Sequence, residues 1–172
     1  GLGRLYRTKF GLDFRAVRFA HMIGPGVRTP GHWAPPMIED AIQGKPNECV
    51  YGDLDTGISM IYVTDAARAV VMVLDAPVER IQMVNYNVAG IPPVVTAREL
   101  EASLKRRYPG AVVNYRGDPN IRPDVRSAHA AMKVFDDSCA RYEWGWQPQY
   151  GTVDAIIGAF EKDLKDHPKR YV

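Results

Sequence analysis

The alternation of apolar and polar positions changes period repeatedly along the chain. Leu2, Leu5 and Tyr6 have a sparse helical spacing over Gly1–Phe10, and Gly11 is a suitable helix stop. Asp13–Ala20 carries Phe14, Ala16, Val17 and Phe19 and reads as a strand, broken by Gly24-Pro25-Gly26. Val27–Pro36 reads as a Pro/Gly-rich loop, and Met37–Gln43 as a helix stopped by Gly44. Strands follow at Glu48–Tyr51 and at Gly57–Val63, where Ile58, Met60 and Tyr62 share one side of the pleat. Thr64 is placed to cap the next helix, with Asp65 in its first turn and Ala66, Ala69, Val70, Val73 and Leu74 on its apolar face. Met83–Val88 is a strand. Thr96-Ala97-Arg98-Glu99 is a capping box that opens a helix through Arg107 with Leu100 and Leu104 inward. Ala111–Tyr115 is a strand, Gly117–Lys133 a long loop and Asp137–Glu143 a short helix. The last helix is capped by Thr152 and carries Val153, Ile156, Ile157, Phe160 and Leu164 as a single stripe. Strands alternating with helices predict an α/β protein.

Composition narrows the function classes. The 172 residues make one ordinary domain, 1–172, and Lys+Arg 22 against Asp+Glu 20 is too balanced to argue for nucleic acid. Lys105-Arg106-Arg107 ends a helix, where positive charge suits the helix dipole. Cys49 and Cys139 form no C-x-x-C and only four histidines are present, so no metal site is expected and both cysteines are expected to pack as small apolar side chains. No apolar run approaches the ~18–20 residues needed to cross a bilayer. No membrane partner is expected, and a cytoplasmic location is the default.

Four segments, in order, carry a family resemblance. They are Phe10–Phe14 leading through Arg18 to Gly24-Pro25; Met60-Ile61-Tyr62-Val63-Thr64-Asp65-Ala66; Val84-Asn85-Tyr86-Asn87-Val88; and Phe135-Asp136-Asp137-Ser138 through Trp144-Gly145-Trp146-Gln147-Pro148. Each is weak alone, but as an ordered set the chain resembles the extended short-chain dehydrogenases/reductases, the NAD-dependent epimerase/dehydratase family. Within it the likeness is to the short-chain-type threonine 3-dehydrogenase branch. The chain departs from that branch at Ala20-His21 and at Thr29-Pro30-Gly31-His32-Trp33. The resemblance implies the C-terminal, substrate-binding half of an extended Rossmann-type fold, with the N-terminal dinucleotide-binding half missing.

The resemblance also implies roles. The complete family fold binds NAD through a glycine fingerprint and uses a Tyr-x-x-x-Lys pair. This sequence contains neither, and Tyr6 and Lys9 are one residue too close. No catalytic residue is therefore expected here, nor tight NAD binding by the chain alone. Phe19, Ala20 and His21 are implied to border the nicotinamide, and His21, Thr29, His32 and Trp33 to meet a small-molecule substrate. Arg122, Arg126 and His129 are placed to meet an anionic substrate or, more simply, solvent. Trp144 and Trp146 are read as core, and Asp65 as a helix-terminal charge. The expected partners are that substrate and a second copy of the chain, through the N-terminal helix and the Asp13–Ala20 strand. The alternative is a non-catalytic binding or oligomerisation protein built on the same half-fold.

Overall fold

The computed structural model of the chain describes residues 1–29, 31–49, 54–116 and 131–168. Helix α1 (Leu2–Phe10) ends at Gly11, whose φ of 66° is the left-handed stop the sequence predicts. Strand β1 (Ala16–Phe19) is shorter than the apolar run that predicts it, because parallel pairing with β5 (Asn85–Val88) begins only at Ala16. Strand β2 (His21–Ile23) continues the same chain direction but pairs parallel with β4 (Gly57–Tyr62) instead. Strand β6 (Ile91–Thr96) pairs antiparallel on the other side of β4. It escaped the sequence reading because Pro92 and Pro93 interrupt its pattern. They fall where the register with β4 shifts between Ile58 and Met60, and the Pro92 carbonyl accepts from Ser59 Oγ (2.6 Å) and Phe135 N (2.8 Å). Strand β3 (Asn47–Cys49) pairs parallel with β7 (Val113–Tyr115); the expected strand through Tyr51 runs on into residues outside the described set.

The helices are α2 (Ala34–Gln43), α3 (Val63–Asp75), α4 (Ala97–Arg107), α5 (Ser138–Trp144) and α6 (Val153–Asp166). Helix α2 begins three residues before the predicted Met37, since Pro35 and Pro36 occupy its first turn, where their missing N–H groups cost nothing. The box at Thr96 forms as read: Thr96 Oγ1 accepts from Glu99 N (3.2 Å) and Glu99 Oε2 accepts from Thr96 N (2.8 Å). Thr152 caps α6, accepting from Ala155 N at 3.2 Å. Thr64, in contrast, caps nothing. β4 runs into α3 without a loop, Tyr62 is the N-cap, and no side chain caps that helix.

Two apolar cores lie on opposite faces of β4. Ile58, Met60 and Tyr62 pack with Met37 and Ile38 of α2, Leu100 and Leu104 of α4, and Ile156, Ile157 and Phe160 of α6. Ile61 joins Ala66, Ala69 and Val73 of α3, Tyr86 and Val88 of β5, and Trp144 and Trp146. Every β4 residue is buried, so the single apolar face expected of that strand becomes two. Val70 and Leu74 of α3 were read as core and are exposed, because α3 turns only its Ala66–Ala69–Val73 line inward. Cys49 is buried as expected. Cys139 is exposed, since α5 presents Ala140 and Trp144 to the core instead.

Asp65 does more than match the α3 terminus. Its fully buried carboxylate accepts from Gln149 N (3.0 Å) and Tyr150 N (2.9 Å) and pairs with Arg68 (3.1 Å). Arg68 in turn lies 4.8 Å over the Trp146 ring and donates to the Gln147 carbonyl. Trp146 Nε1 donates to the Ala89 carbonyl at 2.9 Å. The W-G-W-x-P segment is thus fastened to α3 and to β5 by charge-assisted bonds as well as packing.

Asp65→Ala is expected to lower the unfolding free energy by about 3 kcal/mol, because it strands two buried N–H groups and a guanidinium. The measurement is urea unfolding, and an unchanged midpoint would show that the segment 147–150 is held some other way. A second expectation concerns acid. Hydrogen bonds from Lys165 and Arg107 hold the Glu161 carboxyl at about 2, below its ordinary 4.5. The folded form therefore stays charged after the unfolded form has protonated. The resulting stabilisation is complete above pH 4.5 and is lost as pH falls toward about 2. The stability gap between the wild type and Glu161→Gln should close through that window, and a gap constant with pH would refute the assignment.

Candidate functional site: the fork between two sheets

At Ala20 one extended stretch of chain changes partner. Ala20 N still donates to Val88 O of β5 (3.0 Å), while the next residue, His21, is already in register with Met60 of β4. The sheets diverge there, leaving a fork at the carboxyl end of β1 and β5. Small groups stand where the backbones crowd at this divergence. Ala20 is buried, and a Cβ on Gly90 would lie 3.1 Å from the Met60 carbonyl oxygen and 3.2 Å from that of Tyr150. The carboxyl ends of parallel strands, where neighbouring connections part, are where open α/β sheets receive ligands.

Phe19 and His21 flank the fork, both half-buried. The loop after β2 returns over it through a turn in which His32 N donates to the Thr29 carbonyl (3.0 Å), helped by Gly31 at φ 85°. This brings the His32 ring to 5.0 Å from that of His21, tilted by 54°. His21 and His32 are therefore brought together beside Ala20, while the Phe19 side chain packs against the core that contains α3. Thr29 is exposed on the same loop. Trp33 goes elsewhere: it is the N-cap of α2 and its ring lies in the core with Met37 and Ile38. Loop and core roles are indistinguishable in sequence for an aromatic residue one position after a turn. Arg122, Arg126 and His129 lie outside the described residues.

The structure also shows a recess that no motif pointed to. A cavity of about 640 Å³ lies between the start of α1 and the face of β1 and β5, lined by Leu2, Arg4, Phe14, Arg18, Met83 and Asn85 among others. Its walls come from three distant stretches, so no local pattern could reveal it.

The chemistry open to these residues is limited. Burial, and then the hydrogen bond to the Glu143 carboxylate, push the Tyr86 phenol up to about 12. Burial and Glu101 push Tyr115 up as well, and Tyr108 is raised by burial. A tyrosine serving as a base needs the opposite shift. Among the described residues no cluster of three or more His, Cys, Asp or Glu side chains could hold a metal ion, and no helix is long and apolar enough to cross a membrane.

Residues 2–89 match the NAD dependent epimerase/dehydratase family. The chain is 32% identical over 158 residues to the mitochondrial L-threonine 3-dehydrogenase of Bos taurus, covering 90% of this chain and 41% of that protein. It is 30% identical over 169 residues to an uncharacterized epimerase/dehydratase of Staphylococcus haemolyticus, covering 94% and 51%. Among solved structures it superposes on the holo form of a GalE-like L-threonine dehydrogenase from Cupriavidus necator with a TM-score of 0.80 and 29% identity, covering 95% of this chain and 52% of that one. The chain thus spans about half the length of the relatives it matches.

Proposed function

The chain belongs to the NAD dependent epimerase/dehydratase family, and on that premise we propose that it forms the substrate side of an NAD-dependent oxidoreductase, with a 2-amino-3-hydroxy acid such as L-threonine as first candidate substrate. The observation that carries the reading is the fork at Ala20, where His21 and His32 converge at the carboxyl end of parallel strands. The finer likeness supports it, since the bovine and Cupriavidus necator relatives are named for threonine dehydrogenation.

The fit to NAD is divided. Phe19 offers the nicotinamide an apolar edge, and His21 offers a hydrogen-bonding ring. For the pyrophosphate the sequence carries no glycine fingerprint, and four of the helix N-termini are poorly suited to it. Prolines fill the first turn of α2, Asp65 lies in that of α3, Glu99 and Thr96 close α4, and Thr152 closes α6. Bound NAD would accept a hydride from the carbinol carbon. This chain's own part is to orient the substrate with His21, His32 and Thr29 and to shield it with Phe19. The base that takes the hydroxyl proton comes from outside these 172 residues, because the sequence has no Tyr-x-x-x-Lys and the Tyr86 phenol is held protonated.

The 172-residue protein is therefore expected to form no NADH from L-threonine and NAD. Millimolar L-threonine is expected to shift backbone amide signals of residues 19–21, 29, 31 and 32 in nuclear magnetic resonance spectra. His21→Ala should weaken that effect roughly three- to tenfold, the value of one hydrogen bond. Sustained NADH formation by the chain alone, or shifts that map to α6, would overturn the reading.

A further inference from the structure

We propose that a cavity at the amino end of β5, between α5 and the turn Val78–Arg80, binds a primary alkylammonium group, with Glu143 as the acceptor that recognises it. The site lies at the opposite end of β5 from the fork and does not depend on the function read there.

Glu143 is only 6% exposed, and its two carboxylate oxygens are used unequally. Oε2 accepts from Gln82 N (2.7 Å), from Met83 N (3.2 Å) and from the Tyr86 hydroxyl. Oε1 accepts from no donor among the described residues, and Glu143 forms no ion pair with them. A side chain needed only to fasten the 82–83 turn could be a glutamine, whose carbonyl accepts the same bonds without bringing a charge indoors. The carboxylate leaves one charged oxygen to be met from elsewhere.

That side chain lines a cavity of about 280 Å³, together with Glu79, Arg80, Gln82 and Tyr142. One wall is held from both directions. The Gln82 and Met83 amides donate to Glu143, while their carbonyls accept from Arg7 of α1 (3.4 and 2.9 Å). A wall fixed in this way has little ordering left to do when a ligand enters.

Charge and shape select the occupant. Glu79 and Glu143 stand against Arg80 in the lining, so one added positive charge balances it. Arg80 does not supply that charge to Glu143, since it pairs with neither carboxylate. Tyr142 adds an aromatic face that is 80% exposed and has no ring partner among the described residues. A cation within about 6 Å of such a face is attracted by the ring quadrupole. Two carboxylates are too few for a divalent metal ion, which takes about six oxygens or more. A guanidinium is met best by two carboxylate oxygens side by side, and Glu143 has one to give. An ammonium needs one acceptor per N–H and can turn its other donors to Glu79 and water. A cavity of this size leaves room for a short methylene chain behind that group.

The test is titration of the 172-residue protein with n-butylamine hydrochloride at neutral pH and constant ionic strength, read by nuclear magnetic resonance at the Gln82 and Met83 amides. Saturable shifts with a Kd of about 1–10 mM are expected, the range for one charge-assisted bond and one ring contact. 1-Butanol, which has the shape without the charge, should shift neither amide. Glu143→Gln should weaken butylamine binding roughly tenfold and Tyr142→Leu about threefold. Arg80→Gln removes a like charge and should tighten binding about twofold. Tyr142 and Arg80 are exposed, so their variants report on the site even where Glu143→Gln fails to fold. Nα-acetyl-lysine methylamide carries the same ammonium on a peptide unit. Weaker binding than butylamine assigns the cavity to free amines, and equal or tighter binding assigns it to a lysine side chain of another protein. No saturation with butylamine, equal shifts with 1-butanol, or wild-type affinity in Tyr142→Leu together with any folded Glu143→Gln would each overturn the proposal. Weaker binding by Arg80→Gln would overturn it as well, because the group recognised would then be an anion.

Discussion

Strand β4 is enclosed on both faces, and most of the molecule follows from that constraint. A strand with two dry faces needs apolar cover on each side, and α2, α4 and α6 supply one cover while α3, β5 and the Trp144–Trp146 segment supply the other. Its buried Ser59 hydroxyl must be satisfied, and the Pro92 carbonyl of the neighbouring strand does so. Its end cannot loop out through solvent, so Tyr62 passes directly into α3. Gly90 approaches the β4 backbone closely enough to donate to the Met60 carbonyl at 2.8 Å, which a side chain at that position would crowd.

The fork is a consequence of the same strand. β4 takes β2 as its parallel neighbour, and β5 takes β1, so the chain must cross between them within one residue. Ala20 fits that crossing because it is small and buried. What emerges on the far side, His21, is fixed by pairing with Met60 and is rigid in a way a loop histidine would not be. The loop carrying Thr29 and His32 then needs only a short turn to close over it.

The polar interior is used for fastening. Asp65, the most deeply buried carboxylate in the α3 region, is consumed by Gln149, Tyr150 and Arg68. Glu143 accepts from the Tyr86 hydroxyl and from Gln82 N (2.7 Å), holding the turn before β5. The chemistry proposed for the fork draws on orientation and shape from these 172 residues, and leaves the base and the phosphate cradle to groups outside them.

The amino-acid sequence by itself determined the elements whose signals are local. The stripe of Ile156, Ile157 and Phe160, the box at Thr96 and Glu99, the cap at Thr152 and the stop at Gly11 each depend on residues within a turn or two of one another. The ordered motifs also carried the family. Tertiary structure alone decided the rest. Whether Trp33 faced a ligand or the core, and whether Asp65 served its own helix or a segment more than eighty residues away, turned on contacts between distant stretches. The strand at Pro92-Pro93 forms where the register with β4 shifts between Ile58 and Met60. The second face of β4 and the change of partner at Ala20 are properties of which strand lies beside which, and strand order is set by non-local packing that no local periodicity encodes.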